Sequence, residues 1–126
     1  MISEIFQQRL VFTVVGVSRN PEKYGHKVYR YLKSRGFKVY PINPKADNIL
    51  GDRCYPSVKA LPEKPDIAVF VVPPKVVESI IDEYIEVGIK YAWFQPGSES
   101  KEAIKRLESA GVKVIQGVCI IMNAKQ

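Results

Sequence analysis

A chain of 126 residues with 46% hydrophobic and 25% charged residues has the composition of a globular protein with one hydrophobic core. No apolar run approaches the roughly 20 residues of a membrane span, and two distant cysteines with a single histidine exclude a structural zinc site. The formal net charge of +6 suits an anionic partner, nucleic acid or a polyphosphate, although lysines spread along the whole chain also describe an ordinary solvated surface.

Met1 to Leu10 carries Glu4 and Arg9 among isolated apolar residues, so it reads as a short helix over Met1 to Gln8 and not as a signal peptide; a cytoplasmic protein is expected. Val11 to Val15 is a β-branched run typical of a strand covered on both faces, and it ends at Gly16. Tyr24, Val28, Tyr31 and Leu32 recur at helical spacing, with Gly36 as the stop. Phe37 to Ile42 predicts a second strand, stopped by Pro41 and Pro44. Lys45 to Pro65 is irregular, with one helical turn over Ser57 to Leu61. Ile67 to Val72 is a buried strand ended by Pro73-Pro74, and Val77, Ile80, Ile81, Tyr84 and Ile85 mark the helix that follows, closed by Gly88. Tyr91 to Phe94 is the next strand, with Trp93 in the core. Ser98 or Ser100 caps a helix whose inner face is Ala103, Ile104, Leu107 and Ala110, and Val112 to Ile115 is the last strand.

The alternation predicts an α/β fold over residues 1–126 as one domain: a doubly wound, Rossmann-like parallel sheet of about five strands with helices on both faces. Ligands of such sheets bind beyond the carboxyl ends of the strands, which selects a few loops. In the first, Gly16-Val17-Ser18, a sharp turn before a helix can place amides against an anion, with Arg19 and Lys23 adding charge; a plain strand-to-helix turn would look the same. The dinucleotide fingerprint G-x-G-x-x-G is absent, and Tyr40-Pro41-Ile42-Asn43-Pro44-Lys45 lacks the acid that holds an NAD ribose, so a hydride-transfer cofactor is disfavoured. Val72-Pro73 offers an apolar ledge. Gln95-Pro96-Gly97 and Gln116 can hydrogen-bond a ligand. Cys119 is the thiol just beyond a strand end, whereas Cys54 reads as structural. Asp66 falls on the wrong side of the sheet, and Asp82-Glu83 on a solvated helix face. No acid–base or nucleophile constellation emerges.

Taken in order, Val15-Gly16-Val17-Ser18, Val39 to Lys45, Tyr55-Pro56-Ser57-Val58, Asp66-Ile67-Ala68-Val69, Val71-Val72-Pro73-Pro74, Trp93 to Gly97 and Gly117-Val118-Cys119 resemble the small stand-alone CoA-binding proteins, related to the CoA-binding domain of succinyl-CoA synthetase alpha subunits. The resemblance spans about Leu10 to Met122. It implies coenzyme A across the rim, with Gly16, Val17 and Ser18 at the diphosphate and Arg19 and Lys23 nearby. Asn43, Pro44 and Lys45 would meet the 3′-phosphate, Val72 and Pro73 wall the adenine or pantetheine, and Gln95, Pro96 and Gly97 border the pantetheine arm; Pro41 belongs to the same motif. The chain departs from the family at Gln116-Gly117, where relatives often carry an acid. It also lacks the synthetase's phosphohistidine, so ligase activity is not implied.

Three functions follow as expectations. The first is a non-catalytic carrier, sensor or accessory module for CoA or an acyl-CoA, with a protein partner allowed. The second is a thiol-redox protein forming a mixed disulfide between Cys119 and CoA. The third, nucleic-acid binding, lacks aromatic-basic stacking motifs and a helix-turn-helix pattern.

Overall fold

The computed structural model describes residues 2–123. Its elements run in chain order as α1 (Ile2–Gln7), β1 (Val11–Val15), α2 (Tyr24–Ser34), β2 (Lys38–Ile42), β3 (Asn48–Ile49), β4 (Asp52–Arg53), β5 (Ile67–Phe70), α3 (Pro74–Val87), β6 (Tyr91–Phe94), α4 (Lys101–Ser109), β7 (Lys113–Ile115) and α5 (Ile120–Asn123), with a single 3-10 turn at Val58–Ala60. Five strands form one parallel sheet in the order β2-β1-β5-β6-β7, while β3 and β4 make a separate two-stranded hairpin. The fold is Rossmann-like. The chain winds outward from β1 to β2, then returns to build β5, β6 and β7 on the other side, so the strand order reverses between β1 and β5.

Side chains alternate across the sheet with period two. Phe12, Val14, Ile67, Val69, Tyr91 and Trp93 pack under α1, α2 and α5. Val15, Ala68, Phe70, Ala92 and Phe94 face the opposite way, under α3, α4 and the 3-10 turn. Because both faces are covered, β5 and β6 read as unbroken apolar runs and β1 is interrupted only by Thr13, whose buried hydroxyl donates to the Tyr40 carbonyl (2.9 Å); Trp93 is fully buried with its indole N–H donated to the Val118 carbonyl (3.0 Å). At the amino end of the sheet Asp66 ties three strands together: its carboxylate accepts from the Val11 amide (2.8 Å), and its carbonyl accepts from Lys90 and Tyr91.

Several boundaries differ from the sequence expectation for identifiable reasons. Pro41 does not stop β2. Residue 41 directs its backbone away from β1, its carbonyl accepting from the Tyr55 amide (3.0 Å), so the missing proline N–H lies on the outer side of the sheet and costs no bond to β1. Tyr55 bridges to Ile42 and the Asn43 amide donates to the Tyr55 carbonyl (2.9 Å), so this segment covers the edge that β2 would otherwise expose. The β3–β4 hairpin lies in the stretch read as irregular. Strand β5 ends at Phe70, two residues before Val72, where Gly16 crosses it. In α2 the buried aromatic is Tyr29, while Tyr31 is half-buried and Tyr24 is exposed at the helix start. Ala110 is the exposed residue that ends α4, not part of its inner face. Ser100, rather than Ser98, caps that helix by accepting from the Ala103 amide (3.1 Å). Helix α5 was not anticipated. The expected Met1–Gln8 helix is observed over Ile2–Gln7, and Met1 lies outside the described residues.

Candidate functional site

The reversal between β1 and β5 is marked by two glycines in contact. Gly16 has φ +103°, and a Cβ placed there would lie 2.6 Å from Val72 Cγ1 and 2.9 Å from the Val71 carbonyl oxygen. A Cβ on Gly25, in the first turn of α2, would lie 2.1 Å from the Gly16 carbonyl oxygen. The helix therefore sits directly on the turn, with no room for a side chain between them. Gly25, absent from the candidate residues read from the sequence, does the close-packing work of the last glycine of a nucleotide fingerprint, but it stands nine residues beyond Gly16.

The turn offers fewer free donors than its sequence suggests. The Gly16 and Val17 amides both donate to the Ile42 carbonyl (3.0 and 3.2 Å). Ser18 Oγ accepts from the Asn20 amide (3.0 Å), which leaves its hydroxyl proton available. The amides of Ser18 and Arg19 make no hydrogen bond among the described residues. Helix α2 has no side-chain cap at Lys23, so the amides of its first turn are not taken up by a capping side chain. His26 is buried beneath them, its Nδ1–H donated to the Ser18 carbonyl (2.8 Å), a bond that pins loop to helix. Asn43 is a second strut: its Nδ2 donates to the Val17 carbonyl (2.7 Å), and its Oδ1 accepts from the Lys45 amide (2.8 Å). Arg19, Lys23, Lys45 and Lys75 follow strand ends on this rim and make no ion pair among the described residues. Away from it, Lys33, Lys38, Lys59, Lys90 and Arg106 are each paired with an acid.

Beside Gly16 a cleft of about 280 Å³ opens between β2, the Pro56–Val58 segment and α3. Val15, Ile42, Val58, Val72, Val76 and Ile80 make it apolar, while Asn43 and Lys45 stand on its lip. A small apolar pocket with a few polar groups at one edge suits a flat base carrying charged substituents. Of the candidate prolines and valines, Pro44 and Val72 line this cleft; Pro73 is the exposed residue before α3, and Pro41 is buried within β2. The α3 side of the cleft was missed in the sequence. Its signal was a second stripe, Val76-Ile80-Glu83, at i, i+4, i+7 beside the core stripe Val77-Ile81-Tyr84.

Cys119 occupies the other side of the rim, immediately before α5, and is half-buried. Gln95, at the end of β6, is buried and fully engaged: its Oε1 accepts from the Ile120 amide (2.8 Å) and its Nε2 donates to Cys119 Sγ (3.5 Å). The Tyr24 hydroxyl also meets Cys119 Sγ. Burial raises the thiol pKa, but donors from Tyr24, Gln95 and the amides of Met122 and Ile121 outweigh it and bring the thiol below its ordinary value. The Tyr24 phenol, raised by burial and then by Cys119 itself, is pushed up to about 12. Pro96 and Gly97 are exposed beyond β6, with the Gly97 amide donating to Glu99 (2.7 Å). By contrast, burial raises the Cys54 thiol, and its hydrogen bond to the Asn43 carbonyl is internal. Among the described residues, no group of three or more His, Cys, Asp or Glu could hold a metal ion, and no helix is long and apolar enough to cross a membrane.

In comparison with known proteins, the family model of the CoA binding domain matches residues 11–125. The chain belongs to the CoA-binding domain family. It is 38% identical over 109 residues to the ADP-forming acetate–CoA ligase II of Archaeoglobus fulgidus, which covers 85% of this chain and 16% of the ligase. It is 34% identical over 135 residues to the alpha subunit of the ADP-forming acetate–CoA ligase II of Pyrococcus furiosus, covering 98% of this chain and 29% of that subunit. The CoA-binding chain thus spans less than a third of either curated relative. A solved structure of a conserved hypothetical protein from Pyrococcus furiosus is 48% identical with a TM-score of 0.84, and the match covers 90% of this chain and 97% of that one. Coenzyme A is the cofactor of this family, and the residues around the cleft fit it: an apolar slot for a base, a cationic lip for phosphate and a free rim beyond.

Proposed function

We propose that the protein is a non-catalytic CoA or acyl-CoA module, a carrier, sensor or accessory domain, that lays the nucleotide across the β1–β5 reversal. The observation that carries this reading is the apolar cleft that adjoins Gly16 and has Lys45 on its lip. The adenine enters the cleft against Val72 and Pro44. Lys45 meets the 3′-phosphate, the free amides of Ser18 and Arg19 with Arg19 and Lys23 meet the diphosphate, and the pantetheine arm runs past Pro96 and Gly97 toward Cys119. Asn43 and Gln95, both internally bonded, shape this path without spending their amides on the ligand. A protein partner fits the occurrence of homologous sequence within longer ligase chains. Calorimetric titration with CoA, dephospho-CoA and NADH tests the reading. CoA is expected to bind, dephospho-CoA to bind more weakly and NADH not at all; NADH binding without CoA binding overturns it.

A second reading rests on Cys119, whose thiolate is favoured by four donors. In it the Cys119 thiolate attacks one sulfur of CoA disulfide, forming a Cys119–CoA mixed disulfide and releasing the other half as CoA thiolate. Intact mass after incubation with CoA disulfide should show one CoA added at Cys119, and an unmodified Cys119 discards this reading while leaving CoA binding untouched.

A further inference from the structure

The cleft is apolar along α3 except at one end. Val76, Ile80 and Glu83 share the helix face turned to the cleft, and Glu83 lies about 10 Å along the helix from Val76. Because α3 begins at the rim and runs back toward the amino end of the sheet, Glu83 closes the part of the slot remote from the phosphate-binding turn. The other acids of this helix are occupied: Glu78 accepts from Ser100, Asp82 is paired with Arg106 and Glu86 with Lys59. Half-buried Glu83 makes neither a hydrogen bond nor an ion pair among the described residues. Lys59, the cation that senses its charge, is bound to Glu86.

A carboxylate can only accept hydrogen bonds. At the end of a slot shaped for a base, it will select a ring edge that presents N–H groups. Adenine presents such donors on its exocyclic amine, whereas a 6-oxopurine places an acceptor oxygen at that position and its N–H one atom away, on the neighbouring ring nitrogen. We propose that Glu83 is a specificity-determining residue that accepts a hydrogen bond from the adenine amine and so makes the cleft select adenine over 6-oxopurine nucleotides. This deepens the CoA reading and rests on it.

The probes are CoA, adenosine 3′,5′-bisphosphate and inosine 3′,5′-bisphosphate, titrated into the wild-type protein, Glu83→Gln, Glu83→Ala and Lys45→Ala, with thermal unfolding as the check on folding. Wild type should prefer the adenosine compound by about tenfold or more, the range of a hydrogen bond to a charged group. Glu83→Gln, whose amide can donate to the 6-oxygen, and Glu83→Ala should both lose that preference. Lys45→Ala should weaken both bisphosphates alike and keep their ratio. Equal binding of the two bases by wild type, or a preference that survives in both Glu83 variants, overturns the inference and leaves CoA binding standing. Failure of wild type to bind CoA and the adenosine compound overturns both.

Discussion

Two single residues carry consequences that their type alone would not suggest. Gly25 sits in a helix, where alanine is ordinarily the better residue. Here a Cβ would meet the Gly16 carbonyl oxygen at 2.1 Å, backbone against backbone, with no flexible side chain to yield. Gly25→Ala should therefore destabilise the protein by about 3 kcal/mol, at the upper end of overpacking costs, read as a lowered urea midpoint. Tyr24 looks like an inner-face helical residue in the sequence, yet it is exposed and its hydroxyl reaches Cys119. Removing a donor that favours the charged form raises an acid's pKa. In Tyr24→Phe the pH midpoint for alkylation of Cys119 should move upward from its lowered wild-type position; an unchanged profile would show that Gln95 and the α5 amides suffice alone.

Among the elements, those set by local pattern formed where the sequence placed them, and those set by neighbours did not. Helix α4 is the first kind: Ser100 accepts from the Ala103 amide, and its hydroxyl donates to Glu78 on α3. Ser100→Ala should cost about 1 kcal/mol in chemical denaturation, the usual loss on removing a helix cap, without changing ligand affinity. Strand β2 is the second kind. Proline is a sound stop signal, but at the outer side of an outer strand its missing N–H is harmless, and whether residue 41 faces β1 or Tyr55 is decided by pairing across 14 residues of chain. The hairpin β3–β4 and helix α5 were illegible for a similar reason. They are two and four residues long, too short for any periodicity, and are held by contacts with α2 and the sheet, such as the bond from Tyr29 to Asp52.

For the molecule as a whole, the positive charge gains a place. Arg19 and Lys23 after β1, Lys45 after β2 and Lys75 after β5 gather at the carboxyl rim because these three strands end there, which no run of lysines in the sequence discloses. CoA at about 100 times its Kd should stabilise the fold by about 2.7 kcal/mol, seen as a rise in unfolding temperature. Added salt should shrink that rise, since phosphate contacts on an exposed rim are screened. A salt-independent rise would place the affinity in the apolar cleft alone.

Fold class, strand alternation, the Gly16 turn and the family resemblance could all be read from the chain, because β-branched runs and glycine punctuation act over a few residues at a time. The cleft could not. Val15, Ile42, Val58, Val72 and Ile80 come from separate segments, and Glu83 faces them only because α3 packs with its Val77-Ile81-Tyr84 stripe in the core and turns the neighbouring stripe outward. Nor could the partners of the polar rim be read, since Asn43 and Gln95 look like ligand-binding amides until their bonds to Val17, Ile120 and Cys119 are seen. Local covalent and conformational preferences suffice for elements and turns, whereas a site assembled from the ends of β1, β2 and β5, the Pro56–Val58 segment and α3 exists only once the sheet order brings those pieces together.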